Sequence, residues 1–284
     1  MSTKLKIAAA VAAAVLLSAC SSPKHEPMPL VKFTPSMEVT EVWSKGLSSA
    51  EGFLVPAVYD DMVFAAGGKT LTRLNARTGE TEWSVSFNSP ITGGVGSDGY
   101  VTAVGLWDGN LEVVDAEGKV SWEKKLTTEL ASPPVVSHGL VIARTMDTRV
   151  SAFEASSGEL QWTYQRSQPA LTVRLPTRML AHDNFLLVGQ PNGHIVILDI
   201  ASGKPMFEFQ VAQAKGVTEV ERLVDVVGAP AFSDNLVCAA AFQGAVTCVD
   251  STNGQTRWTQ KIDAVAGPAI DEDNVYAVSV NGEV

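Results

Sequence analysis

The sequence predicts an all-β fold of repeated four-stranded antiparallel sheets, and three observations predict it. An aromatic residue recurs about every 40 positions, four residues after a glycine in five repeats. The segments between these aromatics alternate apolar and polar residues and are bounded by Gly, Asn, Asp and Pro. Nowhere does a long segment carry the 3.6-residue apolar period of a helix. Four short strands in each repeat of that length are the sequence form of a β-propeller blade.

The N-terminus stands outside the repeat. Lys4 and Lys6 precede an apolar run, IAAAVAAAVLL (7–17), too short to span a bilayer, and LSAC (17–20) puts small residues before a cysteine. This resembles the bacterial lipobox, in which residues 1–19 are a signal peptide and Cys20 becomes the lipidated first residue. Ser21, rather than an aspartate, follows Cys20, which in lipoproteins of this kind implies the outer membrane. Several acyl chains at about 0.8 kcal/mol per buried methylene anchor durably. Residues 20–37 hold four prolines and little periodicity and read as a flexible tether, leaving 38–284 for the propeller.

The ladder itself runs through Trp43, Trp83, Trp122, Trp162, Phe207 and Trp258, at steps of 40, 39, 40, 45 and 51 residues. Each repeat opens on a Pro-small-apolar segment such as VPAV (55–58), PPVV (133–136), APAF (229–232) or GPAI (267–270). A polar turn, an apolar strand, a second turn and an alternating strand follow. The last turn, as in NARTG or DIASG, begins with an Asx or acidic residue and ends on a glycine that can take positive φ. The aromatic strand closes the repeat. A large ring at that place docks one blade against the next, burying roughly 200 Å². Trp43 is expected on a lone N-terminal strand that completes the last blade and closes the ring. The chain ends at VSVNGEV, part-way through a hairpin of a sixth repeat. Because open strand edges are avoided, the expectation is a propeller lacking its C-terminal blades.

Composition and motifs narrow the function. The formal net charge is −10, which argues against the basic surface that nucleic-acid binding requires. GVGSDG (94–99) precedes a strand rather than a helix, and GGKT (67–70) has Val63 where a phosphate loop needs its first glycine. Both read as blade turns. The four histidines lie scattered at turns, so no metal site is expected. Cys238 and Cys248 flank a turn. If its loop is 242–244 they face each other across two antiparallel strands, and a disulfide and a pair of buried thiols both remain open.

LNARTGETEW, VDAEGKVSW and VDSTNGQTRW resemble the quinoprotein-type (PQQ) propeller repeat, a likeness that covers residues 40–284. That repeat serves both quinone-dependent dehydrogenases and non-enzymatic scaffolds. The dehydrogenases resemble one another in adjacent cysteines, a calcium site and a catalytic aspartate. This chain has no Cys-Cys pair, no acidic cluster with calcium spacing and no CxxCH haem site, so neither catalysis nor a cofactor is expected.

Function is therefore sought where the repeat is lengthened, because loops on a rigid scaffold carry recognition. One long step contains QPALTVRLPTRML (168–180) and the other VAQAKGVTEVERLVDVVG (211–228). With the lipobox, the tether and the repeats, LTVR (171–174) and GVTEVERLVDV (216–226) resemble the BamB family, propeller lipoproteins of the outer-membrane β-barrel assembly machinery. The resemblance implies an eight-bladed propeller that binds the periplasmic domains of the central barrel subunit and assists insertion of outer-membrane proteins. It implies Leu171, Val173, Arg174 and Asp225 as partner-binding residues. The family segment usually continues Asp-Val-Asp, whereas Val227 stands at the second acidic place here. Two other readings stay open: a quinone-dependent dehydrogenase, and a lipid-anchored propeller binding another periplasmic ligand such as peptidoglycan or unfolded substrate.

Overall fold

The computed structural model describes residues 32, 34, 37–49, 54–167, 169 and 171–284. The signal peptide, Cys20 and most of the tether lie outside the described residues. The described chain is all β, with no helix. Five four-stranded antiparallel sheets follow one another, spanning 57–86, 91–125, 135–164, 180–210 and 226–261. Within each, strands neighbour one another in chain order, and a two-stranded pair, Ala269–Ile270 with Val275–Tyr276, follows. These sheets are the blades of a propeller.

The core is a series of seams between consecutive blades. Phe64 and Leu71 of the first blade pack with Ile91, Val104 and Leu106 of the second. Leu111 and Val113 of the second meet Val136, Val141 and Phe153 of the third. Ile142 and Trp162 then meet Leu186, Val188 and Leu198, and Ile195 and Phe209 meet Val237 and Val249. The second, third and fourth blades thus have a neighbour on each face, and their middle strands are buried on both sides. The third strands read as alternating in sequence, but Asn110–Val114 and Ala245–Asp250 are buried almost throughout. Outer strands, such as Thr81–Ser86, keep an exposed face. At roughly 2–3 kcal/mol for each fully buried large aliphatic chain, these seams are the main source of stability.

The glycine–aromatic spacing has a structural cause that joins adjacent repeats. The indole N–H groups of Trp83, Trp122 and Trp162 donate to the carbonyls of Ala116, Ala155 and Ile200 in the following blade, at 2.8–2.9 Å. Each ring lies flat against the glycine that ends the same turn. Gly118 has φ 81°, and a Cβ there would sit 2.7 Å from the Trp83 ring. Glycine is therefore required twice over, by its backbone angle and by the ring above it. Phe207 takes the same place against Gly254 but has no N–H to donate.

Trp43 joins the ladder in an unexpected way. Its indole covers Gly79 and donates to the Ala76 carbonyl at 2.9 Å, as the later tryptophans do. However, residues 37–49 form no strand. The segment instead lies along the first blade by its Trp43 ring and by the Leu47–Ser48 backbone, which packs against Gly67 at the end of the strand Met62–Gly67.

In the fifth blade, Leu236–Ala241 pairs with Ala245–Asp250 so that Cys238 is directly opposite Cys248. The two are joined by a disulfide buried in the blade.

Candidate functional site

Both lengthened steps are blade-to-blade connections. Residues 165–179 lead from the third blade to the fourth, and 211–225 from the fourth to the fifth. Their inner ends meet. The Val173 N–H donates to Asp225 Oδ2 at 2.5 Å, and the Asn192 N–H donates to Asp225 Oδ1 at 3.3 Å. Downstream, the Gly228 N–H donates to the Pro176 carbonyl and the Arg178 N–H to the Gly228 carbonyl, at 2.8 and 2.9 Å. Thr177 and Gly228 form a parallel bridge. Segment 171–178 is thereby strapped to the start of the fifth blade.

The strap sorts the side chains of LTVRL. Leu171 is 47% exposed and Arg174 is exposed, while Val173 is half-buried above its bond to Asp225. Leu175 turns inward and packs against Val227, Ala240, Val246 and Ala264. The surface thus presents one apolar side chain and one guanidinium, held on a backbone with little freedom. Pro169 and Pro176 restrict it further.

Asp225 is placed differently from the other three. It is only 6% exposed, and its two oxygens are committed to backbone N–H groups. Burial pushes its pKa up, opposed by those two N–H groups and by the nearby Arg144 guanidinium. Any contribution to recognition by Asp225 therefore runs through the shape of the 171–175 loop.

The rest of the second insert builds its own turn. Glu221 Oε2 accepts the N–H groups of Val217 and Thr218 at 2.8 and 3.0 Å, and the Glu221 N–H donates back to Thr218 Oγ1 at 3.3 Å. This is the reciprocal capping arrangement of a Thr-x-x-Glu sequence. The two N–H groups hold the Glu221 carboxyl below its usual range. Glu219 pairs with Arg222 at 3.4 Å. Both acids are thus engaged within their own turn, and Val217, at 90% exposure, stands out from it.

Arg144 went unremarked in the sequence. It ends the strand Leu140–Arg144 of the third blade, where the matching strands end on Gly67, Leu106, Gln190 and Ala241. A charged residue in that place was the available signal. Arg144 is 5% exposed, with Nη1 at 3.5 Å from Thr177 Oγ1. Burial lowers its pKa to about 10, against the opposing pull of Asp225. Among the described residues no three His, Cys, Asp or Glu side chains gather as a metal site. His182 stacks on Phe232 at 3.7 Å between centroids, and His194 Nδ1 lies 2.9 Å from Glu208 Oε1. The string GVGSDG runs along the strand Ile91–Ser97 and into the turn after it.

Fold and site together define a β-propeller of quinoprotein-type repeats with one pinned, elaborated surface between its third and fifth blades. The model of the family described as outer membrane protein assembly factor BamB matches residues 67–284. A relative of that description from Burkholderia pseudomallei is 37% identical over 270 residues, covering 93% of this chain and 71% of its own length. The crystal structure of BamB from Moraxella catarrhalis superposes with a TM-score of 0.74 at 27% identity, over 81% of this chain and 70% of that one. The chain belongs to the BamB family. A quinohemoprotein alcohol dehydrogenase from Pseudomonas putida also superposes, with a TM-score of 0.58 at 16% identity, over 80% of this chain and 46% of that one. That likeness is one of fold alone. Membership of a family of assembly factors makes this propeller a non-enzymatic one.

Proposed function

We propose that this chain is a scaffold of outer-membrane protein assembly, anchored in the outer membrane through lipidated Cys20 and facing the periplasm. It binds the periplasmic domains of the central barrel subunit through Leu171, Val173 and Arg174, and Asp225 holds that loop in its binding shape. Its family of outer membrane protein assembly factors supports the assembly role. The observation that carries the binding assignment is the pinned loop, which shows Leu171 and Arg174 to solvent while its backbone is tied to a buried carboxylate. An apolar anchor beside a guanidinium fork, both pre-ordered, is the composition of an interface hot spot and lowers the entropy lost on docking. Co-purification from detergent-solubilised outer membranes tests the reading. The barrel subunit is expected to accompany the wild-type protein. Its absence overturns the scaffold reading, and full retention by both Leu171→Ala and Arg174→Ala overturns the site.

A further inference from the structure

Six buried side-chain nitrogen or oxygen atoms have no hydrogen-bond partner among the described residues. Two of them, Arg73 Nε and Arg149 Nε, still face a carboxylate, that of Glu82 at 2.6 Å and that of Asp147 at 3.8 Å. The other four are Thr92 Oγ1, Ser132 Oγ, Arg144 Nε and Gln190 Nε2. Thr92, Arg144 and Gln190 come from three different blades and Ser132 from the connection between two of them, yet all four residues line the same cavity of about 220 Å³. The inner face of the 171–177 loop forms another part of its wall.

The chemistry of that wall is one-sided. Arg144 and Gln190 bring N–H donors, and the two hydroxyls can each donate. Arg144 and Arg174 are its two cations and Asp225 its single acid. Asp225 has already turned both oxygens to the N–H groups of Val173 and Asn192. Water can satisfy the neutral donors but leaves the buried charge of Arg144 uncompensated. A planar group with two acceptor oxygens and a negative charge matches an arginine flanked by neutral donors, and it would offset the cost of burying that guanidinium.

We propose that this cavity is a carboxylate-binding site, with Arg144 as the charged anchor and Gln190, Ser132 and Thr92 as the surrounding donors. The assignment does not depend on the partner proposed above. The carboxylate comes either from a small free acid or from an acidic side chain of a protein docked on the loop, and the two sources differ in their response to that protein.

The experiment follows the Arg144 Nε–H and Gln190 side-chain amide signals of the full chain by NMR while sodium acetate is added. Acetamide serves as the neutral control and sodium chloride as the control for ionic strength. A saturable shift with acetate alone is expected. Gln190→Leu should weaken it about fivefold, the equivalent of one hydrogen bond near 1 kcal/mol, and Arg144→Met should abolish it. Gln190→Leu keeps the test decisive should Arg144→Met fail to fold. No saturable shift, an equal response to acetamide or chloride, or an unchanged response in Gln190→Leu overturns the proposal. Addition of the barrel subunit's periplasmic domains then separates the sources. Displacement of acetate identifies a carboxylate of the partner, and simultaneous binding identifies a free acid. Because acetate binding is read on Arg144 and Gln190 and partner binding on Leu171, which does not line the cavity, either assignment can fail without the other.

Discussion

Replacement of Asp225 by alanine removes the side chain by which the end of the second insert holds the first insert and the Asn192 turn of the fourth blade. Two effects follow from the geometry. The N–H groups of Val173 and Asn192 lose their acceptor, at about 1–3 kcal/mol for each that stays buried. Arg144, buried nearby but not in direct contact, loses the carboxylate that opposes its desolvation, at less than the roughly 3–5 kcal/mol of breaking a direct buried ion pair. These terms share a partner and are not additive, so Asp225→Ala is expected to destabilise by about 3–5 kcal/mol. Asp225→Asn keeps one acceptor oxygen and the side chain's shape and should lose about half as much. Urea denaturation of the full chain, followed by tryptophan fluorescence, measures the midpoint, and hydrogen exchange over 171–175 reports the release of the loop. Arg144→Met introduced into Asp225→Ala should recover more than about 1 kcal/mol, because an unpaired buried charge is then removed. A loss below about 1 kcal/mol for Asp225→Ala, or strict additivity in the double variant, would refute the account of how the loop is held.

Three further outcomes are expected. Gly118→Ala forces a Cβ to 2.7 Å from the Trp83 ring at φ 81° and should destabilise by about 2–3 kcal/mol, measured as a lower urea midpoint. Reduction of the Cys238–Cys248 bridge, which spans ten residues, should cost about 3 kcal/mol. Mass spectrometry should find neither thiol alkylated unless reductant is present. The Asp250 carboxyl is held at about 2, chiefly by Thr252 and then by Arg257. A depressed carboxyl adds stability above its unfolded pKa, near 4, that is lost as pH falls through about 2. Asp250→Asn should therefore flatten the fall in stability between those two values, while a difference between variant and wild type confined to alkaline pH would contradict it.

Much of the fold was legible because its signals are local and repeated. Gly, Asx and aromatic residues recur at fixed offsets, and each fixes a turn or a dock without reference to distant sequence. The purpose of the Gly-x-x-x-Trp spacing was less legible, since each glycine touches the tryptophan of the preceding repeat rather than its own. The 171–174 motif showed which residues to suspect but not their orientation, because alternation in a non-strand segment has no fixed face. The inward turn of Leu175 and the exposure of Leu171 follow from the strap to Gly228 and Asp225, some fifty residues away. For the same reason Asp225 looked like a surface contact although it is a buried acceptor. Arg144 and Gln190 were invisible as a pair, since only the stacking of blades brings two strand ends together. The Thr218-x-x-Glu221 cap, by contrast, was open to sequence reading on its spacing alone.

The central claim is that the pinned 171–174 loop is the binding surface for the barrel subunit. Isothermal titration of the full chain with that subunit's periplasmic domains tests it most directly. Wild type should bind, and Leu171→Ala and Arg174→Ala should each weaken binding about tenfold or more, as hot-spot truncations do. Absence of binding by wild type, or affinities of both variants unchanged from wild type, would contradict it.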